Sequence, residues 1–249
     1  VTEIALTEDH LLGGRVVLRQ PAKGYRVGID PLLLAAAVTA SAGERILDVG
    51  SGVGAAALAV AVRVAGTLVT GLEQDRPTVG LAAANAQANG VADRVQFFIC
   101  NLKTLPVRLS PGIFDHVMTN PPHLAEGTGR LPENEQKARS TIESDVFLDE
   151  WLQFCVKMVR PKGFVTVIHR ADRLHEVLAA LHGRLGDLTV YPLWPGGSGD
   201  KSAKRVIIRG RRGTAGPLTL LPGLVLHAAD GSYTDAAEAI LRHAAPLPW

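Results

Sequence analysis

Two cysteines are all that the 249 residues supply, and Cys100 and Cys155 stand far apart in unrelated contexts. That scarcity excludes a disulfide framework and a zinc site of clustered thiolates, leaving both thiols as expected inert core residues. No apolar run reaches the ~20 residues that a membrane-spanning helix requires. The longest, Val53 to Val64, is interrupted by Gly54 and Arg63 and reads as a buried helix. The first residues carry Glu3, Glu8 and Asp9 rather than a basic, then apolar, then small-residue leader, so the expectation is a cytoplasmic protein with no membrane partner. A formal net charge of only +2 gives too weak an overall field to argue nucleic-acid binding from composition. Internal repeats and low-complexity linkers are lacking too, which favours one domain.

What is there is apolar substance and alternation. Hydrophobic residues make up 47% of the chain, enough for a sizeable core. From Arg45 onward, short β-branched runs alternate with longer Ala/Leu-rich periodic stretches, the pattern of βαβ units around a mostly parallel sheet. Strands are expected near 45–49, 67–72, 94–99, 115–119, 164–168, 188–193 and 204–209, and helices near 54–65, 77–89, 147–159 and 172–184. Between the last two strands, Pro195 to Lys201 leaves no room for a crossover helix, so they should pair antiparallel at one end of the sheet. The expected fold is α/β, a seven-stranded doubly wound, Rossmann-like sheet with an antiparallel last strand. Residues 1–40 form an extension containing a short strand around Arg15 to Arg19, a turn, and a helix opening at Pro31. Residues 41–213 form the core. Residues 214–249 continue the same domain, with Thr234 or Asp235 capping a short helix to His243.

Asp48-Val-Gly-Ser-Gly-Val-Gly54 falls where a strand ends and a helix begins. Gly50, Gly52 and Gly54 let the backbone turn sharply and approach a ligand closely, with Ser51 between them. The spacing is D-x-G-x-G-x-G, not the G-x-G-x-x-G of dinucleotide sites, which sets aside a nicotinamide oxidoreductase. The leading carboxylate of Asp48 suits the amino group of a methionine moiety. Glu73 follows the second strand of the core, where an acid can grip ribose hydroxyls. Glu73-Gln74-Asp75 offers two acids for that role, with Gln74 beside them.

The most specific feature is Asn120-Pro121-Pro122-His123 at the end of the fourth strand, on the side of the sheet where ligands bind. An amino group conjugated to a ring is a poor nucleophile, so a site that methylates it has to orient it and favour a tetrahedral nitrogen. The Asn120 side-chain carbonyl and the Pro121 main-chain carbonyl can accept its two N–H bonds and aim the lone pair. Proline removes an N–H from the turn and stiffens it.

D-x-G-x-G-x-G followed by N-P-P-[Y/F] resembles methyltransferases that act on amino groups of adenine, guanine or glutamine. Nearly the whole chain also resembles the bacterial tRNA-valine adenine-N6 methyltransferases, through Thr7 to Gly14, Gln20 to Asp30, the glycine loop, Asn120 to His123 and Ser202 to Arg205. The resemblance implies a class I methyltransferase fold, S-adenosylmethionine as cofactor, and adenine in tRNA as target. It gives Tyr25, Arg26 and Asp30 supporting roles over the cofactor, and Asn101 a contact to the cofactor's adenine, where Asp is more usual. His123 departs from the Tyr or Phe of the motif, and an imidazole stacks on a base with less area. A guanine of ribosomal RNA, a protein glutamine, or a catalytically weakened homologue that binds cofactor or RNA remain the alternatives.

Six cations and no acid lie between Lys201 and Arg212, a composition suited to phosphate contact, with Lys201, Lys204 and Arg205 as candidate substrate-binding residues. The competing expectation is an edge strand protected by charge. Lys23, Arg26, Arg130, Lys137 and Arg139 could extend the surface, and residues 124–146 read as a polar loop that orders on substrate.

Overall fold

The computed structural model describes residues 5–24, 26–103, 109–122, 124–125, 142–143, 146–196 and 201–249. Tyr25, His123, Arg130, Lys137, Arg139 and most of the 124–146 segment lie outside the described residues.

Strands β1 (Leu6–Leu11) and β2 (Val16–Pro21) make an antiparallel hairpin, followed by helix α1 (Asp30–Ala37). The core runs β3 (Arg45–Val49), α2 (Ala55–Arg63), β4 (Leu68–Glu73), α3 (Arg76–Ala88), β5 (Val95–Ile99) and β6 (Phe114–Thr119). Two-residue strands β7 (Leu124–Ala125) and β8 (Ile142–Glu143) pair in parallel. Then come α4 (Leu148–Met158), β9 (Val159–Arg170), α5 (Leu174–Leu181), β10 (Leu185–Trp194) and β11 (Arg205–Arg212). Short β12 (Thr219–Leu220) and β13 (Leu224–Val225) precede α6 (Asp235–His243).

The seven long strands of the main sheet lie in the order β5-β4-β3-β6-β9-β11-β10, parallel except β11, which runs antiparallel between β9 and β10. This is the class I methyltransferase arrangement, with β11 inserted back into the sheet. It removes the edge-strand explanation for the basic segment, because β11 is covered on both sides. Beyond β10 the sheet is continued by β12 and β13, both parallel to it. The strand order reverses at β3, with β4 on one side and β6 on the other, so their C-terminal ends open the crevice where ligands bind in such sheets.

One apolar cluster packs α1, α2 and the terminal segments on one face of the sheet, and a second packs α4 and α5 on the other. The sequence hides how the N-terminal hairpin is docked. Asn85 on α3 and Asn89, its C-terminal capping residue, are one turn apart and therefore share a face. Asn85 accepts from the Arg19 backbone N–H at 2.9 Å and donates to the Arg19 carbonyl at 2.9 Å and to Val53 at 3.0 Å. Asn89 repeats the two-way contact at Val17, accepting at 2.8 Å and donating at 2.7 Å. Two side-chain amides thus replace a neighbouring strand along β2, satisfying backbone groups that burial would otherwise leave unpaired. At the other terminus, Thr234 caps α6 by accepting from Ala237 N at 3.2 Å. Trp249 donates its indole N–H to the Ala37 carbonyl at 3.2 Å.

Candidate active site

The glycine loop begins where β3 ends. Asp48 is only 2% exposed and one of its carboxylate oxygens, Oδ2, has no hydrogen-bond partner. Burial raises its pKa from 3.8 to about 7; a bond from the Ala57 backbone opposes this rise and the nearby Glu73 charge adds to it. A buried carboxylate with an idle oxygen calls for a cationic or donor-bearing ligand. The Ser51 hydroxyl is also buried and unpartnered. Gly50 has φ +74°, and a Cβ there would lie 2.6 Å from the Trp151 ring. Gly52 has φ +53° and faces open space, which leaves its backbone approachable. Gly54 sits against the Phe97 ring at the N-terminus of α2.

The choice between the two acids after β4 follows from their bonds. Asp75 caps α3, accepting from the Thr78 backbone N–H at 3.0 Å and its hydroxyl at 2.6 Å. Glu73 instead faces the loop, accepting from Gly52 N at 3.1 Å, Gln74 N at 2.7 Å and Asp75 N at 3.1 Å. Gln74 contributes to this ring through its main chain. Asn101, exposed beyond β5, accepts from Lys103 N at 2.9 Å.

Strand pairing sets the Asn120–Pro122 turn beside this loop. Val49 and Thr119 are register partners in β3 and β6, so Gly50 and Asn120 emerge side by side. The Asn120 side-chain carbonyl oxygen is buried and has no hydrogen-bond partner. Pro121 is buried and Pro122 half-buried, and the Pro122 carbonyl lies 3.4 Å from Nε2 of His169, a fully buried residue near the end of β9. His169 therefore supports the turn. Thr119, the residue before the turn, accepts from the Trp151 indole N–H and donates to the Val49 carbonyl, and sequence reasoning missed both Trp151 and Thr119. The available signal for Trp151 was Gly50, where a Cβ would meet its ring; Gly71 in mid-strand makes room for the Phe97 ring instead.

Of the three residues given supporting roles, Tyr25 is outside the described residues. Arg26 forms a two-pronged pair with Asp9 at 2.8 and 2.9 Å and donates to the Thr7 hydroxyl at 2.7 Å, tying the 26–30 segment to β1. Asp30 accepts from Arg205 Nε at 2.7 Å, across 175 residues of chain. Arg205 is thus engaged by Asp30, and its guanidinium links β11 to the start of α1.

The basic segment divides in two. Because β11 is antiparallel, Arg205 pairs with Arg170 at the C-terminal end of β9, the edge that carries the glycine loop and Asn120. Exposed Lys201 and Lys204 stand at that edge and form no ion pair among the described residues. The other cations have partners of their own. Arg209 stacks 3.8 Å over Trp249 and 5.3 Å from Phe164. Arg211 donates to the Lys162 carbonyl at 2.8 Å, and Arg212 to the Val159 carbonyl at 2.5 Å.

The family model described as Methyltransferase small domain matches residues 26–133. The tRNA1(Val) (adenine(37)-N6)-methyltransferase of Aeromonas hydrophila is 28% identical over 211 residues, covering 84% of this chain and 86% of that protein. A crystal structure of a predicted O-methyltransferase from Agrobacterium tumefaciens superposes with a TM-score of 0.73 at 22% identity, covering 88% of this chain and 98% of that one. The tRNA (m1A58) methyltransferase of Aquifex aeolicus gives a TM-score of 0.55 at 18% identity, over 79% and 73% of the two chains. At such identities the two solved structures speak for the fold alone.

Proposed function

We propose that this chain, an S-adenosylmethionine-dependent methyltransferase of class I fold, transfers the methyl group to the exocyclic amine of an adenine in tRNA. The observation that carries the reading is the Asn120 side-chain oxygen, buried and unpartnered beside the glycine loop. A buried acceptor without a donor costs about 1–3 kcal/mol, so it is kept for a group that arrives with the substrate.

The donor set fits the cofactor. Asp48 would hold the ammonium of the methionine moiety, Glu73 the ribose hydroxyls, and the Gly50 to Gly54 backbone would run along the ligand. Ser51, Gln74 and Asn101 line the same side, the last toward the adenine. Bound S-adenosylmethionine supplies an electrophilic methyl on a sulfonium. Asn120 and the Pro121 carbonyl accept the two N–H bonds of the substrate amine, which turns its lone pair out of conjugation. Pro122 stiffens the turn. His123, next in sequence, would stack on the base. The methylated nitrogen then carries one proton too many, and a water molecule takes it.

RNA as the substrate rests on the name of the Aeromonas hydrophila relative and on Lys201 and Lys204, two exposed cations on the ligand edge with no ion pair among the described residues. Incubation with labelled S-adenosylmethionine and unmodified tRNA should place label on adenine N6. Label recovered in polypeptide, with none in any RNA, would sink the proposal. Changing Lys201 and Lys204 together to Glu is expected to weaken tRNA binding at least tenfold in a gel-shift titration. Cofactor affinity should not move, since neither lysine is near the glycine loop in sequence or in bonding.

A further inference from the structure

We propose that Trp151 and Thr119 form a positioning relay that fixes the spacing between the amine-gripping turn and the cofactor loop. The inference rests on the reading of Asn120 as the acceptor of the substrate amine.

From α4, the Trp151 indole N–H donates to the Thr119 hydroxyl at 2.8 Å. That hydroxyl donates onward to the Val49 carbonyl, also at 2.8 Å. The direction is forced, because an indole N–H can only donate and a hydroxyl has one proton to give. Thr119 is fully buried, so no water competes for either bond. Each end of the relay is one residue from a working group: Thr119 precedes Asn120, and Val49 precedes Gly50. The indole also occupies the space of the missing Gly50 side chain, its ring 2.6 Å from where a Cβ would stand.

One rigid side chain from a third element therefore touches both parts of the site, with its N–H on one and its six-membered ring on the other. The strand register alone sets β3 against β6 along the strands. It does not fix the departure angles of the two loops beyond them. A hydrogen bond to the last residue of β6 and a ring pressed on the first residue of the glycine loop do fix them. Methyl transfer needs the reacting atoms about 3–3.5 Å apart, and a misplacement of about 1 Å costs on the order of 100-fold. A purely space-filling tryptophan would use the ring and leave the N–H dispensable.

Trp151→Phe separates the two roles by keeping a ring and deleting the donor. Initial rates should be read at saturating cofactor, with combined RNA and protein of an unfractionated cell extract as acceptor. Turnover is expected to fall about tenfold, with KM for S-adenosylmethionine within about threefold of wild type. Thr119→Val breaks the same link, so the double variant should be no slower than the worse single one. Thr119→Ser keeps the hydroxyl and should recover most of the rate. A readout independent of turnover is the Trp151 indole N–H in a 15N–1H spectrum. Its exchange with solvent should be slow in wild type and Thr119→Ser, and at least tenfold faster in Thr119→Val. Wild-type turnover in Trp151→Phe, or losses that multiply in the double variant, would overturn the relay. Label entering protein rather than RNA would defeat the adenine reading alone, since the same rate comparison then runs on that acceptor.

Discussion

Replacing Asp48 by asparagine is expected to stabilise the cofactor-free protein at pH 8 while removing its affinity for S-adenosylmethionine. The carboxylate is buried with a folded-state pKa of about 7, against 3.8 for the free side chain. Between those two values the folded chain holds a proton that the unfolded chain has lost. The unfolded state binds fewer protons there, so stability falls as pH rises, by about 1.4 kcal/mol per unit. The stability contribution is fully present below the unfolded pKa and is lost by the time pH passes about 7. Above that point the accumulated cost is of the order of 4 kcal/mol, an upper figure because local relaxation and water entry reduce it. Asparagine is isosteric and uncharged, so it should be free of this slope. Its melting temperature should exceed wild type by about 5–10 °C at pH 8 and match it near pH 4.

The same carboxylate is what a cationic methionine moiety would meet. Wild-type cofactor affinity should weaken about tenfold per unit as pH falls below 7, because only the ionised form binds. Asp48→Asn should lose at least about 100-fold in affinity at pH 8, the scale for deleting one partner of a buried charge pair. Thermal unfolding at pH 4 and 8, with calorimetric titration of cofactor, checks both halves. Equal melting temperatures at pH 8, or undiminished cofactor binding, would contradict the account.

The second large effect is expected at Asn120. Asn120→Ala should lower turnover on tRNA by about 100- to 1,000-fold, the range for deleting one preorganised group that acts in the transition state. Affinity for S-adenosylmethionine should stay within a few-fold. Stability should be unchanged or slightly raised, because the variant deletes a buried acceptor that no donor satisfies. That combination distinguishes a working group from a structural one, whose removal would lower turnover and melting temperature together. Rapid-quench single-turnover rates alongside thermal melts would decide it.

The parts of the fold legible in the sequence are those whose signals are local. Strands β3 to β6 and helices α2 to α4 show in the change of hydrophobic period from two to 3.6. The glycine loop shows in its spacing, and the Asn120–Pro122 turn in consecutive prolines. Strand β1 leaves no mark in the sequence because Leu6-Thr-Glu-Asp-His-Leu11 is polar and poor in β-branched residues, and β2 supplies its register. β12 and β13 are two residues each, too short to carry a period. The role of Asp75 was open in sequence and closed by its cap on Thr78, which left Glu73 to face the loop. Pairings such as Asp30 with Arg205, or Trp151 with Thr119, exist only once the sheet has assembled. No spacing rule connects residues that distant in chain.

Counterion arithmetic follows from the division of the basic segment. Six positive side chains read from the sequence would release enough condensed ions to give a log–log salt slope of about −4 to −5 on RNA. With one arginine paired to Asp30, another stacked on aromatic rings and two more at the far end of β11, the pair of lysines is what the segment leaves at the ligand edge to displace ions. The slope from this segment shrinks to about −1.5. A polyanion would then be held here weakly and released readily, with discrimination coming from the geometry around Asn120 and not from the strength of electrostatic capture.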